Sequence, residues 1–284
     1  MASVSWELQS TTKESRRPGR RAYLLITLFA LLLVLFPFLF WYGTWFGRAL
    51  TNSQIEQYLN DSAHPRRPQH ALVQIGERMM RGDPAVSRWY PKVVELSRSP
   101  LLELRQTAAW IMGQDHRYIP FHEALQRLRQ DPEPMVRRNA ALALANFRDS
   151  SALPELHAML KPWRMPSPAA GVLRYRLKAG EYANPGTLVA RAGDTEVRSP
   201  LPGDVRALLR RDGAPVAAGD ELVELGPDEK HVWEALRALV LVGGASDLED
   251  VRRYARGVPG MPERIRNQAN LTLRAIESRQ TNAP

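Results

Sequence analysis

The text Val136-Arg137-Arg138-Asn139-Ala140-Ala141 restates Leu104-Arg105-Gln106-Thr107-Ala108-Ala109 at a distance of 32 residues, and Ile265-Arg266-Asn267-Gln268-Ala269-Asn270-Leu271 restates it again far downstream. A period of this length, with apolar residues at helical spacing, predicts paired helices stacked in a solenoid, where each unit buries its apolar face only against its neighbours. Asp131-Pro132-Glu133-Pro134 starts one unit with turn chemistry, and Ala140-Ala141-Leu142-Ala143-Leu144 supplies the residues that fill a seam between layers. An earlier unit from Gln69 to Ser97 carries Ile75-Gly76 where the next carries Met112-Gly113, and a later one from Lys230 to Arg256 carries Gly243 at the same place. A small residue there lets paired helices approach closely.

Between the two helical stretches lies a segment of another kind, Gly171 to Asp228. Gly180 and Gly213 lie 33 residues apart, as do Gly186 and Gly219, and each pair is followed by an apolar run, Leu188-Val189-Ala190 and Leu222-Val223. The segment is an internal duplication of a short β unit, and its halves meet at Arg198-Ser199-Pro200-Leu201-Pro202-Gly203, where prolines and a glycine punctuate strands. Two such halves are expected to share one small core, turning at Gly180, Gly186, Gly203, Gly213 and Gly219.

The helical pattern from Asp131 to Leu160 resembles the short HEAT repeat first associated with phycobilisome lyases. The resemblance implies that Arg105, Arg137 and Arg266, at the second helical turn, are framework residues tying one layer to the next. The inserted segment, through Glu196-Val197-Arg198-Ser199-Pro200-Leu201-Pro202-Gly203-Asp204-Val205 with Gly213, Val216, Gly219-Asp220 and Leu222, resembles the biotinyl/lipoyl-like barrel-sandwich module, in the version found in HlyD-type membrane-fusion adaptors. Modified members of that class carry a lysine at a hairpin that here reads Arg191-Ala192-Gly193-Asp194, and the module's one lysine, Lys178, lies in the other half. An unmodified docking block is expected, without lipoyl, biotinyl or other cofactor. The two halves are joined directly, where a pump adaptor would carry a long coiled-coil hairpin.

At the other end of the chain no charged residue occurs from Ala22 to Gly47. About 20 residues cross a hydrocarbon core ~30 Å thick, so residues 22–46 are expected to form a transmembrane helix anchored by Tyr23, Leu24, Leu33, Pro37, Trp41, Tyr42 and Trp45, with Pro37 as a kink and the aromatics at headgroup depth. A cleaved signal would carry a shorter apolar run ending in small residues. Arg16, Arg17, Arg20 and Arg21 precede the run and Arg48 alone follows closely, which orients the N-terminus to the cytoplasm and the rest outside it. Beyond it, Ser53 is placed to cap a short helix carrying Ile55 and Leu59, and Pro65-Arg66-Arg67-Pro68 interrupts the chain.

The formal charge of +9 invites a nucleic-acid reading. The expected topology argues against it, and no basic stripe interleaved with aromatics is present. The absence of cysteine excludes disulfides and thiolate chemistry. His64, His70, His116, His122, His157 and His231 form no metal-binding spacing, Asp115, His116 and His122 read as polar turn residues, and no nucleophile elbow or phosphate loop occurs.

The chain is therefore expected to be a membrane-anchored, mainly α protein, with one N-terminal transmembrane helix, an α-solenoid of HEAT-like repeats and an inserted all-β barrel-sandwich module. Its divisions are a basic tail (1–21), the span (22–46), repeats (49–165), the β module (171–228), further repeats (229–279) and a short tail (280–284). The function expected is that of a non-enzymatic scaffold or accessory subunit of a protein complex in a bacterial inner membrane, with a periplasmic C-terminal part that docks proteins through the solenoid and the β module. The lipid bilayer is the other expected partner, with neither nucleic acid nor small-molecule substrate. A HlyD-like transport adaptor and a lyase-type pigment or cofactor ligation factor are the alternatives.

Overall fold

The computed structural model describes residues 20–44 and 49–281, with the side chains of 24–39 and of 49–281. Two compact units divide the chain, 1–50 and 51–284. The first contains helix α1, Arg20–Thr44, with Pro37 inside it. Leu24, Leu25, Ile26, Leu28, Phe29 and the large apolar residues that follow as far as Leu39 are all exposed. The expected span thus corresponds to an apolar helix that starts and ends two residues earlier. Among the described residues, however, no helix is long and apolar enough to cross a membrane. The expected transmembrane span is therefore not supported. Among the anchor residues named above, Leu24, Leu33 and Pro37 are described; the side chains of Tyr23, Trp41 and Tyr42, all of Trp45, and the arginines at 16 and 17 lie outside the described residues.

The second unit is mainly helical with a β-sheet region. Helix α2 (Asn52–Leu59) starts at a capping box made by Thr51 and Gln54, so the cap lies two residues before the expected Ser53. Then come α3 (Arg66–Met80), α4 (Tyr90–Leu96), α5 (Leu102–Met112), α6 (Ile119–Leu128), α7 (Pro134–Asn146) and α8 (Leu153–Met159), and after the β region α9 (Glu229–Val242), α10 (Leu248–Ala255) and α11 (Glu263–Thr281). Helices α3, α5, α7, α9 and α11 pack in that order as one row, with α4, α6, α8 and α10 on their other side. Helix α9 lies against both α7 and α8, so the helical stretches on either side of the β region form one stack. The small residues at the repeated position account for the close packing. A Cβ on Gly76 would come within 2.5 Å of the Trp110 ring, and one on Gly113 within 2.8 Å of Ala143 Cβ.

Side-chain bonds from each layer to the next reinforce the stack. In one series Tyr90 Oη donates to Asp115 Oδ2 at 3.1 Å, His122 Nε2 lies 2.6 Å from Asp149 Oδ2 and His157 Nε2 lies 2.5 Å from Asp247 Oδ1. In another, Asn139 Nδ2 donates to the Gln106 carbonyl and Asn146 Nδ2 to that of Gly113, both at 3.0 Å. Tyr254 Oη donates at 2.7 Å to the carbonyl of Leu160, across the sequence gap that the β region fills.

The β region has eight strands: β1 (Trp163–Pro166), β2 (Gly171–Tyr175), β3 (Tyr182–Ala183), β4 (Leu188–Ala192), β5 (Thr195–Arg198), β6 (Gly203–Leu208), β7 (Pro215–Val216) and β8 (Glu221–Leu225). They form two antiparallel sheets, ordered β1-β8-β6-β3 and β5-β4-β2-β7. The repeat relates β2, β3 and β4 to β6, β7 and β8, and β5 to β1, and this correspondence turns one sheet order into the other. Each half lends its two-residue strand to the other half's sheet, so the two halves interlock. Leu173, Val189, Val197, Val205, Leu222, Val223 and Leu225 share one core.

The β region begins earlier than Gly171. Trp163 to Pro166 pairs with β8, and its neighbour Ser167 matches Ser199 at the centre of the duplication. Both serines are buried, and their hydroxyls donate to the carbonyl two residues on, of Ala169 at 2.7 Å and of Leu201 at 2.6 Å. Their carbonyls accept from the turn glycines, Ser167 from Gly219 and Ser199 from Gly186.

Candidate docking groove

Helices α5, α7, α9 and α11 border an open channel of about 750 Å³, whose lining includes Trp110, Leu142, Arg237, Val240 and Leu271. It continues into a narrower cavity of about 230 Å³ between α5, α7 and the first turns of α9, where Asn139, Asn146, His231 and Glu234 join Trp110. The solenoid explains this placement, since successive helices of one row contribute equivalent positions, such as Trp110 and Leu142 or Gln114 and Asn146, to the same face. Trp110 rests its ring on the backbone left bare by Gly76 and remains 37% exposed. Leu271 is 53% exposed.

Charge in the groove comes from α9. Lys230 Nζ lies 3.9 Å from Glu234 Oε1, a marginal pair on a largely exposed lysine. Arg237 stacks on Trp233, its guanidinium carbon 4.5 Å from the ring centroid. Burial raises the pKa of Glu234, opposed by Lys230.

A buried polar cluster lies under the narrow end. Arg138 Nη1 donates at 3.1 Å to His231 Nδ1, and its Nε lies 3.7 Å from Glu155 Oε1. Asp228 caps α9 by accepting the His231 N–H at 3.0 Å and also accepts from Tyr182 Oη of β3 at 2.7 Å. Burial, helped by the charge of Arg138, lowers the His231 pKa to about 4, and burial lowers that of Arg138 to about 10. Tyr182 is pushed up by burial and by its bond to Asp228. The first turn of α9 thus joins the β region to the wall of the groove.

The residues expected to be framework separate into two kinds. Arg105 holds Asp131 through both carboxylate oxygens, at 2.7 and 3.1 Å, and donates to the carbonyls of Ser99 and Pro100. Arg137 repeats the motif on the carbonyls of Asp131 and Pro132 and bonds Glu155 at 3.2 Å. Arg266 does something else, pairing with Glu263 of its own helix on the surface. In the last layer Arg279 ties α11 to the end of α9, donating to the carbonyls of Leu239, Val240 and Gly243. The expected turns of the module have positive φ at Gly180, Gly186, Gly213 and Gly219. At Gly203 the reason is contact, since a Cβ there would come within 2.3 Å of the Gly226 carbonyl oxygen.

Asp115 and His122 do not meet as a metal site, because one accepts from Tyr90 and the other bonds Asp149. Among the described residues no cluster of histidine and carboxylate side chains could hold a metal ion. Lys178 lies in the turn before β3, away from the β4–β5 hairpin.

The HEAT repeats family matches residues 119–162, the stretch from α6 to the end of α8. A curated relative, "Uncharacterized protein YqeB" of Escherichia coli (strain K12), is 38% identical over 61 residues, which is 22% of this chain and 11% of that protein. The chain therefore matches about a tenth of the length of that relative. The match at 119–162 and the curled sheets agree with a HEAT-repeat protein carrying a β module.

Proposed function

We propose that this protein is a non-enzymatic scaffold or accessory subunit of a protein complex in a bacterial inner membrane, anchored by α1 and docking partner proteins through its solenoid and its barrel-sandwich module. The observation that carries the reading is the groove, an open surface spanning four helices with Trp110 and Leu271 exposed in it. Solenoids offer extended surfaces of this kind. The histidines of the helical stack support a non-catalytic role, since His122, His157 and His231 are engaged with Asp149, Asp247 and Arg138 as links between elements. The apolar exposure of α1 supports the anchor, and the arginine balance around it supports a periplasmic C-terminal part.

Purification from membranes in mild detergent, followed by mass spectrometry and light scattering, tests the proposal. A partner at fixed stoichiometry is expected. Recovery of the chain alone under conditions that preserve other membrane complexes refutes the docking reading.

A further inference from the structure

We propose that the cavity between α5, α7 and α9 takes the guanidinium of an arginine carried by a segment of a partner protein. The inference rests on the docking reading and names what one end of the groove recognises. Gln114 Nε2 donates to the Trp110 carbonyl at 3.1 Å, Asn139 Nδ2 to that of Gln106 and Asn146 Nδ2 to that of Gly113. These bonds fix the three amides, and among the described residues none of their carbonyl oxygens has a partner. Glu234 lines the same cavity, half-buried, and accepts no hydrogen bond among the described residues. Its nearest cation is the exposed Lys230 at 3.9 Å.

A part-desolvated carboxylate without donors is costly, and the amide oxygens beside it, those of Gln114 and Asn146 open to solvent, offer acceptors to the same ligand. An acidic ligand would meet Glu234 inside the cavity, while the cations nearby are a largely exposed Lys230 and an Arg237 held on Trp233. A guanidinium presents five N–H groups in a plane and has an apolar face that stacks on an indole, which Trp110 offers. An ammonium has three donors and no such plane, so lysine fits less well. Lys230 is a weak competitor because an exposed ion pair is worth little, and Arg237 is already placed on Trp233. The source of the arginine follows from continuity. The cavity opens into the wider channel lined by Leu142, Val240, Leu241 and Leu271, which suits the apolar neighbours of an arginine in a polypeptide and is superfluous for the free amino acid.

The test uses the full chain in detergent, titrated calorimetrically with an acetylated and amidated nonapeptide of leucine and serine around one central arginine. Lysine and citrulline versions and free L-arginine are the comparisons. The arginine peptide is expected to bind, the citrulline peptide not to, and the lysine peptide to be weaker by about tenfold. Glu234→Gln should weaken the arginine peptide by about tenfold or more. Leu271→Ser, at a half-exposed position, should keep the wild-type circular dichroism melt, weaken the peptide and leave free arginine unchanged. Equal binding of the lysine peptide, or unchanged binding by Glu234→Gln, overturns the guanidinium assignment. Free arginine binding as tightly as the peptide overturns the protein source. If the arginine peptide fails while the wild type and Glu234→Gln both retain a co-purified partner, the pocket is refuted and the docking reading stands; a wild type that retains no partner refutes that reading instead.

Discussion

Arg105 and Arg266 occupy the same place in the repeated text but not in the energetics. The carboxylate of Asp131 is 6% exposed, and Arg105 neutralises it while satisfying two carbonyls at a layer junction. Replacing Arg105 with Met leaves that carboxylate buried with the Glu133 N–H as a remaining donor. The expected loss is about 3 kcal/mol, read as a lower urea midpoint. Arg266→Ala removes an exposed pair and should change stability by less than about 0.5 kcal/mol. Equal effects of the two substitutions would show that the contacts of Arg105 are not what stabilises the junction. His231 adds a pH dependence whose sign follows from its environment. Its folded pKa, about 4, lies below the ordinary 6.5, so the unfolded chain takes up the proton first as pH falls. The contribution is complete above about pH 6.5 and is lost on going down to about pH 4, by at most about 3 kcal/mol. Asp228, Lys230, Arg138 and Glu155 surround it, so the comparison to make is wild type against His231→Gln across that window. Parallel stability curves would rule the contribution out. The equivalence of Arg105 and Arg137 was legible because each side chain donates to the carbonyls five and six residues before it, whatever carboxylate it also meets. Arg266 misled because the last layer is closed differently, by Arg279. The bonds of His122, His157 and His231 to partners outside their own helices were not legible, since their distant partners are set by how layers stack.

The β region shows what an internal repeat conveys about an element and what it hides. Glycines 33 residues apart marked the turns, because positive φ restricts those positions to glycine at little steric cost. Strand β1 was hidden, a four-residue segment that ends in Pro166 and is flanked by Pro162 and Pro168, so that it resembles a linker. The signal that could have found it is Ser-Pro followed three residues later by Gly, which occurs at 167–171 and again at 199–203. The strand also moves the boundary for excision. Trp163 and Leu225 are direct partners on neighbouring strands, and such Cα atoms lie about 5 Å apart. Removing residues 163–226 and joining the ends with a short Gly/Ser linker should therefore leave the helices folded. Circular dichroism is expected to retain one cooperative helical melt; its loss would mean that the β region belongs to the core of the stack. The same region should carry no lipoyl or biotinyl group, since the β4–β5 hairpin presents Gly193-Asp194 at its turn. An intact mass higher by either group, mapped to Lys178, would overturn the unmodified docking block.

For the whole molecule, the proposed location turns on α1. Its described positions expose Leu, Ile, Phe and Val one after another, whereas a helix packed on a soluble domain would show a single apolar stripe. Exposure of this kind in water is an aggregation hazard, and a bilayer removes it. Arginine provides the direction: Arg16, Arg17, Arg20 and Arg21 stand before the apolar run and Arg48 stands alone close after it. Basic residues are retained on the cytoplasmic side, so a reporter fused after Arg256 should report a location outside the cytoplasm. Replacing all four leading arginines by Gln and adding lysines near Arg48 should reverse or scramble that orientation. Deleting residues 1–50 supplies the independent arm. The remaining unit, Thr51–Pro284, contains the whole helical stack and the β region, so it should stay folded and leave the membrane fraction without detergent. A reporter at Arg256 that is active only in the cytoplasm would reverse the orientation and restore the relevance of the basic charge to nucleic acid. A shortened chain that stays with membranes through alkaline washing would show that α1 is not the anchor.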